Sequence, residues 1–214
     1  GVAVDLAPQS RSARFPRIAA RDQNVWVVWQ DERAGQVPRR PAIYLRQSSD
    51  GGATWQAEQL LRGIAGRAER PAIALSASGA PLVAWQEIRP GEPFDVFAQL
   101  LGVDAEPINL SRSGKSFNAA NLLDTRSALW PASLWPALSV RADGLMALAY
   151  QDNRDDLDPL WTGQVLVGDG TEVDDWQIRV HTRAATAASW TPAVVIGATD
   201  RADRHPSLAF NDRG

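Results

Sequence analysis

No cysteine occurs among the 214 residues, so disulfides and cysteine-ligated metal sites are excluded and the redox compartment is left open. No run approaches the ~20 apolar residues that a membrane-spanning helix needs. No secretory leader is visible, as expected of a segment that begins inside a repeat. Lysine is nearly missing: Lys115 stands alone among 22 basic residues, against 25 acidic ones, for a net charge of -3. That balance carries no electrostatic footprint for nucleic acid. The arginine bias fits either a GC-rich coding sequence or a need for planar donors that grip carboxylates. Histidine is scarce too, and neither His181 nor His205 stands in a recognisable phrase with a nucleophilic Ser or Cys. There is no Gly-rich phosphate loop and no His-x3-His pair.

What is present is a core-forming composition, 44% hydrophobic with nine Trp, arranged in a repeat. One phrase opens four times: Phe15-Pro16-Arg17-Ile18-Ala19, Arg70-Pro71-Ala72-Ile73-Ala74, Trp135-Pro136-Ala137-Leu138-Ser139 and His205-Pro206-Ser207-Leu208-Ala209. Asn24, Gly79, Gly144 and Gly214 supply a turn eight residues after each proline. Apolar runs follow at 25–29, 82–85 and 145–150, closing in Trp29-Gln30-Asp31-Glu32-Arg33, Trp85-Gln86-Glu87-Ile88-Arg89 and Tyr150-Gln151-Asp152-Asn153-Arg154. Short β-type runs separated by Gly or Asn turns predict antiparallel hairpins. Continuous apolar runs predict strands covered on both faces. Third strands are expected at 42–46, 95–100 and 176–181, and fourth strands at 59–61, 107–110 and 193–196.

Between the third and fourth strands of the first unit lies Ser48-Ser49-Asp50-Gly51-Gly52-Ala53-Thr54-Trp55, which fits Ser-x-Asp-x-Gly-x-Thr-Trp at every defined position. Its logic is mechanical. Ser and Asp side chains fold back onto backbone N–H groups, Gly52 supplies a backbone angle closed to other residues, and Trp55 is expected to bury its ring against the hairpin. This motif and the fourfold phrase resemble the sialidase-like, BNR or Asp-box, β-propellers. The resemblance implies an all-β propeller of four-stranded antiparallel blades, three of them here, from a propeller of six blades or more. The second unit has the short turn Gly102-Val103-Asp104-Ala105 instead, and the third keeps Trp190 but has Ala185 and Ala187 in the Asp and Gly positions.

On this reading residues 1–10 are the last strand of a preceding blade, with Val2–Leu6 as its core. Residues 14–66 are the blade with the intact Asp box, 69–111 the second blade, 112–133 an insertion with one helical turn at 119–123, and 134–198 the third blade. Residues 204–214 begin a next blade. Open edges at both ends would invite pairing, so Val2–Leu6 and Pro206–Phe210 are expected to meet polypeptide beyond this chain.

Geometry then sorts the loops. The Asp box marks a lower face, so the acid-x-Arg loops and the links before each proline share the upper face, where sialidase-like families carry their ligand site. The upper-face candidates are Arg14, Arg70 and Arg204 from the links, Asp31/Arg33, Glu87/Arg89 and Asp152/Arg154 from the loops, and Trp130 and Trp161 as sugar platforms, with Trp135 nearby. One reading is a funnel that holds a carboxylate, sulfate or phosphate on arginine forks. The other is a ring of ion pairs tying each loop to its neighbouring link. The funnel reading requires Arg14, Arg70 and Arg204 to point inward without carboxylate partners. The acidic stretch 155–175 offers Asp155, Asp156 and Asp158 as weak Ca²⁺ candidates, against a solvated acidic loop; no other cofactor is implied.

Enzyme signatures of the resembled family are missing from this segment. Sialidases use an arginine triad, an acid/base Asp and a Tyr–Glu nucleophile pair, with the first triad Arg in a Phe/Tyr-Arg-Ile-Pro phrase. The nearest text here is Phe15-Pro16-Arg17-Ile18, where Pro16 is the repeat proline. Tyr44 lies mid-strand, and Tyr150 takes the place held by Trp29 and Trp85. Two functions follow as expectations. One is a non-catalytic extracytoplasmic module that binds a protein or glycan, or serves as a subunit of a larger assembly. The other is part of a sialidase-type exo-glycosidase whose catalytic groups lie in further blades.

Overall fold

The computed structural model describes residues 3–10, 12–33, 40–63, 66–89, 94–112, 133–152, 176–196 and 205–211. Among these the chain is all-β, without a helix, and forms three four-stranded antiparallel sheets. The first contains β1 (Arg14–Arg21), β2 (Asn24–Asp31), β3 (Ala42–Ser48) and β4 (Gln59–Arg62). The second contains β5 (Arg67–Leu75), β6 (Pro81–Ile88), β7 (Phe94–Leu100) and β8 (Ile108–Asn109). The third contains β9 (Ser133–Val140), β10 (Met146–Asp152), β11 (Gln177–Arg183) and β12 (Val194–Ile196). Strand order within each sheet follows chain order.

The second strand of each sheet carries the continuous apolar run, and it is the most enclosed. All seven residues of β10 are buried, as are seven of the eight in β6. A strand covered on both faces needs apolar residues at consecutive positions rather than alternate ones. The cores lie between sheets. Val28, Ile43 and Leu45 of the first sheet pack with Ala68, Val83, Trp85 and Phe97 of the second. Ala84, Val96 and Ala98 of the second pack with Leu148 and Tyr150 of the third. The first strand of each later sheet leans on strands of the one before: β5 touches β1, β2 and β3, and β9 touches β5, β6 and β7. Such stacking is consistent with the blades of a partial propeller.

Each repeat proline leaves a mark. Proline has no N–H to give the ladder and is confined to bulges and edges. The register shifts between Arg14 and Arg17 in β1, between Glu69 and Ala72 in β5, and opposite Ala149–Gln151 in β9. Pro16, Pro71 and Pro136 all fall inside these irregularities.

The Asp-box turn is closed by its own side chains. Ser48 Oγ accepts from the Gly52 N–H at 2.8 Å and donates to Asp50 Oδ1 at 2.7 Å. Asp50 accepts from the Thr54 N–H at 2.8 Å and from the Thr54 hydroxyl at 2.5 Å. Those Thr54 bonds, with help from Ser48 and Ala53, hold the Asp50 carboxyl down at about 2. The expectation for Trp55 needs correction. Its ring is half-buried, not buried, and lies over Gly52 at a turn that projects from the sheet.

In the third sheet the turn survives without the box. Thr191 N–H donates to the Thr182 carbonyl at 2.8 Å, as Gln56 does to Gln47 in the first. Arg183 stands where Ser48 would, and its guanidinium replaces the missing clasp. Nε donates to the Ala187 carbonyl at 3.0 Å, while Nη1 reaches Asp104 of the second sheet at 2.9 Å.

Neither end of the chain carries a strand among the described residues. Residues 3–10 run outside any sheet, with Val4 exposed. Residues 205–211 carry no strand either, although Phe210 lies beneath Arg141. A strand is defined by its partner, and neither segment has a ladder to join among the described residues. The segment at 119–123 and most of the two insertions lie outside the described residues.

Arg183 and Asp104 are both nearly enclosed, at 4% and 9% side-chain exposure. Removing one partner of such a pair strands the other in a low-dielectric site, so Arg183→Ala should cost about 3 kcal/mol by urea denaturation. Asp50 gives a second check, through pH. Its depressed carboxyl contributes stability in full above the ordinary carboxylate range, and loses it as pH falls through about 2. Thermal melts of Asp50→Ala should therefore fall below wild type at pH 6 and converge toward it near pH 2.

Candidate functional site

The buried acids at or near the ends of β2, β6 and β10 are each engaged by donors of the chain itself. Asp31 is fully enclosed and takes a hydrogen bond from Ser10 Oγ at 2.6 Å and an ion pair from Arg33 Nε at 3.3 Å. Arg33 in turn pairs with Glu58 and lies over the Tyr44 ring at 3.9 Å. Burial opposes its charge, but the hydrogen bond to Glu58 and the attraction of nearby negative groups raise the guanidinium above its ordinary value.

Glu87 collects Trp85 Nε1 at 2.8 Å, Arg89 Nε at 2.9 Å and Arg62 Nε at 3.1 Å, the last from the preceding sheet. Burial alone would raise this carboxyl, yet the three donors outweigh it and hold it below the usual range. Asp152 accepts from Ser133 Oγ at 2.6 Å and pairs with Arg179 at 3.3 Å. These groups tie loops to links and sheets to one another, and their donors are already engaged.

A different set of side chains meets where the first strands converge. The residue before each repeat proline has a positive φ: Phe15 at 52°, Arg70 at 53°, Trp135 at 57° and His205 at 53°. A left-handed conformation at a non-glycine costs about 1–3 kcal/mol and persists only where surroundings impose it. At three of the four, the N–H is held by a buried glutamine of the preceding sheet. Gln30 Oε1 accepts from the Arg70 N–H at 3.2 Å, Gln86 Oε1 from Trp135 at 3.1 Å, and Gln151 Oε1 from His205 at 2.9 Å. The reversed backbone turns all four side chains toward one cavity of about 300 Å³, lined also by Arg17 and the prolines Pro71, Pro136 and Pro206.

Inside this cavity the Arg70 guanidinium is sandwiched, 3.6 Å from the centre of the Phe15 ring and 3.9 Å from that of Trp135. Trp135 meets the His205 ring edge-on at 4.5 Å. Among the described residues no carboxylate lies within ion-pair distance of Arg70. Burial lowers its guanidinium below the ordinary value; Glu69 pulls the other way and Arg17 adds to the lowering. The Glu69 carboxylate itself is engaged by Arg67 and by Gln86 Nε2. With both faces against aromatic rings, only the in-plane N–H donors of Arg70 remain to address a ligand. The lining contains two arginines, a histidine and no acid.

The candidates read from the sequence thus separate. Arg70 enters the cavity. Arg14 does not line it; it opens β1 on the surface, in register with Gln30. Counted from the proline, Arg14 stands in the column of Glu69, one place before the column of Arg70. Arg33, Asp31, Glu87, Arg89 and Asp152 belong to the ion-pair ring described above. Arg154, Arg204, Trp130, Trp161 and the Ca²⁺ candidates Asp155, Asp156 and Asp158 lie outside the described residues, among which no group of three His, Asp or Glu is placed to hold a metal. Phe15, Trp135 and His205 were overlooked as a set, and so were the glutamines. The signal that unites them is the column immediately before the repeat proline.

No protein-family model matches the chain, and no curated protein does. Solved structures do. A Hadza microbial sialidase is 13% identical with a TM-score of 0.50, over 85% of this chain and 37% of that one. The GH93 α-L-arabinofuranosidase of Fusarium graminearum is 13% identical with a TM-score of 0.45, over 88% and 50%. A xylan β-1,4-xylosidase from Bacillus halodurans is 12% identical with a TM-score of 0.46, over 90% and 31%. The chain spans about a third to a half of their lengths. The likeness to the sialidase is one of fold, and it agrees with three sheets stacked as blades of a partial β-propeller.

Replacing Glu87 tests the structural assignment of the acid ring. Glu87→Ala should cost about 3–5 kcal/mol in urea denaturation, because two arginines and an indole lose a buried acceptor. A surface acid held ready for a ligand would cost far less.

Proposed function

We propose that this chain is part of a sialidase-like Asp-box β-propeller that recognises carbohydrate without hydrolysing it, through the cavity walled by Phe15, Arg70, Trp135 and His205. The observation that carries this reading is Arg70: a half-buried cation between two aromatic rings, with no ion-pair partner among the described residues. An unpaired cation is costly to enclose, and its open in-plane donors suit a bidentate anion. Flat rings beside such a donor set suit the apolar face and acidic group of a sugar acid.

The chain's tyrosines support the non-catalytic side of the reading. Tyr44 and Tyr150 are buried at 6% and 0% exposure, in cores rather than at the cavity. The alternative, part of a sialidase-type exo-glycosidase, draws on the likeness in fold and requires catalytic groups from further blades. A full ring of six or more blades, placed outside the cytoplasm, belongs to the same reading. So does a protein partner or remaining blade set against the first sheet. Ile18 supports the last point, being 66% exposed on β1 where its counterparts Ile73 and Leu138 pack into cores.

A glycan array carrying sialylated, uronate and sulfated sugars tests the proposal. Wild type should bind acidic glycans and ignore their neutral counterparts. Arg70→Ala should abolish that binding while costing about 1–2 kcal/mol of stability, the worth of two cation–π contacts. Arg70→Lys should recover little affinity, since an ammonium lacks the planar fork. Absence of acidic-glycan binding by wild type, or full retention by Arg70→Ala, would overturn it.

A further inference from the structure

We propose that Gln30 and Gln86 are positioning residues for the cavity, each setting the aim of one wall from across a blade seam. The inference rests on the reading of this cavity as a ligand site. Its physical basis is independent of what the ligand is.

Both glutamines are 5% exposed and neither lines the cavity. Each uses its carboxamide oxygen on one backbone N–H of the next sheet: Gln30 on Arg70, Gln86 on Trp135. Those two N–H groups belong to residues at positive φ, immediately before a proline. Pre-proline residues are biased toward extended backbone, so at each seam the acceptor weights the balance toward the left-handed form, and its loss frees the residue to sample the extended one. The side chain would then swing with the backbone. For Arg70 the swing removes the guanidinium from between Phe15 and Trp135; for Trp135 it removes one of the two rings. The third case, Gln151 on His205 at 2.9 Å, repeats the device for the ring that stands against Trp135. One type of residue, at one place in the repeat, thus governs three of the four walls. The walls themselves are Arg, Trp and His, so the device fixes direction and leaves the chemistry of each wall free to differ.

The experiment uses the whole chain labelled for NMR, with Gln30→Leu and Gln86→Leu. Leucine keeps the volume and deletes the acceptor, and in Gln86→Leu also the Nε2 donor to Glu69. In wild type, the Arg70 side-chain resonances should be shifted upfield by the two flanking rings. In Gln30→Leu that shift should collapse, and the Arg70 amide should exchange about tenfold faster, while the Trp135 and His205 amides keep their protection. In Gln86→Leu the pattern moves one seam along. The Trp135 amide should be released, the Arg70 amide should stay protected, and the ring shift should fall to the Phe15 share.

Titration with glucuronate as probe should show affinity lower by about tenfold in each variant, as expected for loss of preorganisation. Unchanged Arg70 shift and exchange in Gln30→Leu would overturn the proposal, and so would uniform loosening of all three amides. If Gln30→Leu does not fold, Gln86→Leu decides by the same local readouts. If the ring shift collapses as expected but wild type binds no glucuronate, the positioning role stands and the carbohydrate reading falls.

Discussion

A proline that withholds its N–H from a sheet creates the constraint on which the rest of this structure depends. The ladder must skip at Pro16, Pro71 and Pro136, and the residue before each is turned into a left-handed conformation. Such a backbone is unfavourable alone and leaves a donor that the bulged ladder does not use. For Arg70 and Trp135 the preceding blade supplies the acceptor, as a glutamine carboxamide enclosed beside its core. The same contact therefore joins neighbouring sheets beside the residues that line the cavity. The glutamine contact thus adds to the shared cores that stack the sheets.

Charge follows a complementary plan. At the upper ends of β2, β6 and β10 the acids are enclosed and fully engaged, so their arginines are fasteners. Arg70 departs from this rule. It sits in the repeat position that holds Phe15, Trp135 and His205, where the chain elsewhere places rings. An arginine there finds π faces instead of carboxylates, with its charge retained and its edge open. Arginine tolerates this better than lysine, since the guanidinium is planar and weakly hydrated.

Strands and stacking were legible in the sequence because they rest on local patterns. The apolar runs, the Gly and Asn turns and the Asp box each imply their structure within a few residues. Third strands expected at 42–46, 95–100 and 176–181 are found at Ala42–Ser48, Phe94–Leu100 and Gln177–Arg183, with ends displaced by one or two residues where pairing overrides composition. The cavity was not legible. Its walls lie 55 to 70 residues apart along the chain, and what unites them is a backbone angle, a property no residue type announces in advance. Arg14 and Arg70 both stand in links before a repeat proline, but one column's difference relative to the proline puts one outside and one inside. Arg183 was hidden for a related reason. A missing Asp box reads as loss, and nothing nearby in sequence says that a neighbour's Asp104 has taken over.

The Arg183–Asp104 pair also gives this repeat array a direction. The turn of the first blade is closed within that blade, by the Ser48, Asp50 and Thr54 bonds and by the Gly51 N–H on the Gln23 carbonyl. Closure of the third blade's turn reaches 79 residues back, to a turn in another blade. Repeat proteins in which each unit stands alone can begin folding anywhere, whereas contacts of long sequence separation form late. The closed form of the third blade's turn therefore depends on the second blade, whose Asp104 it borrows.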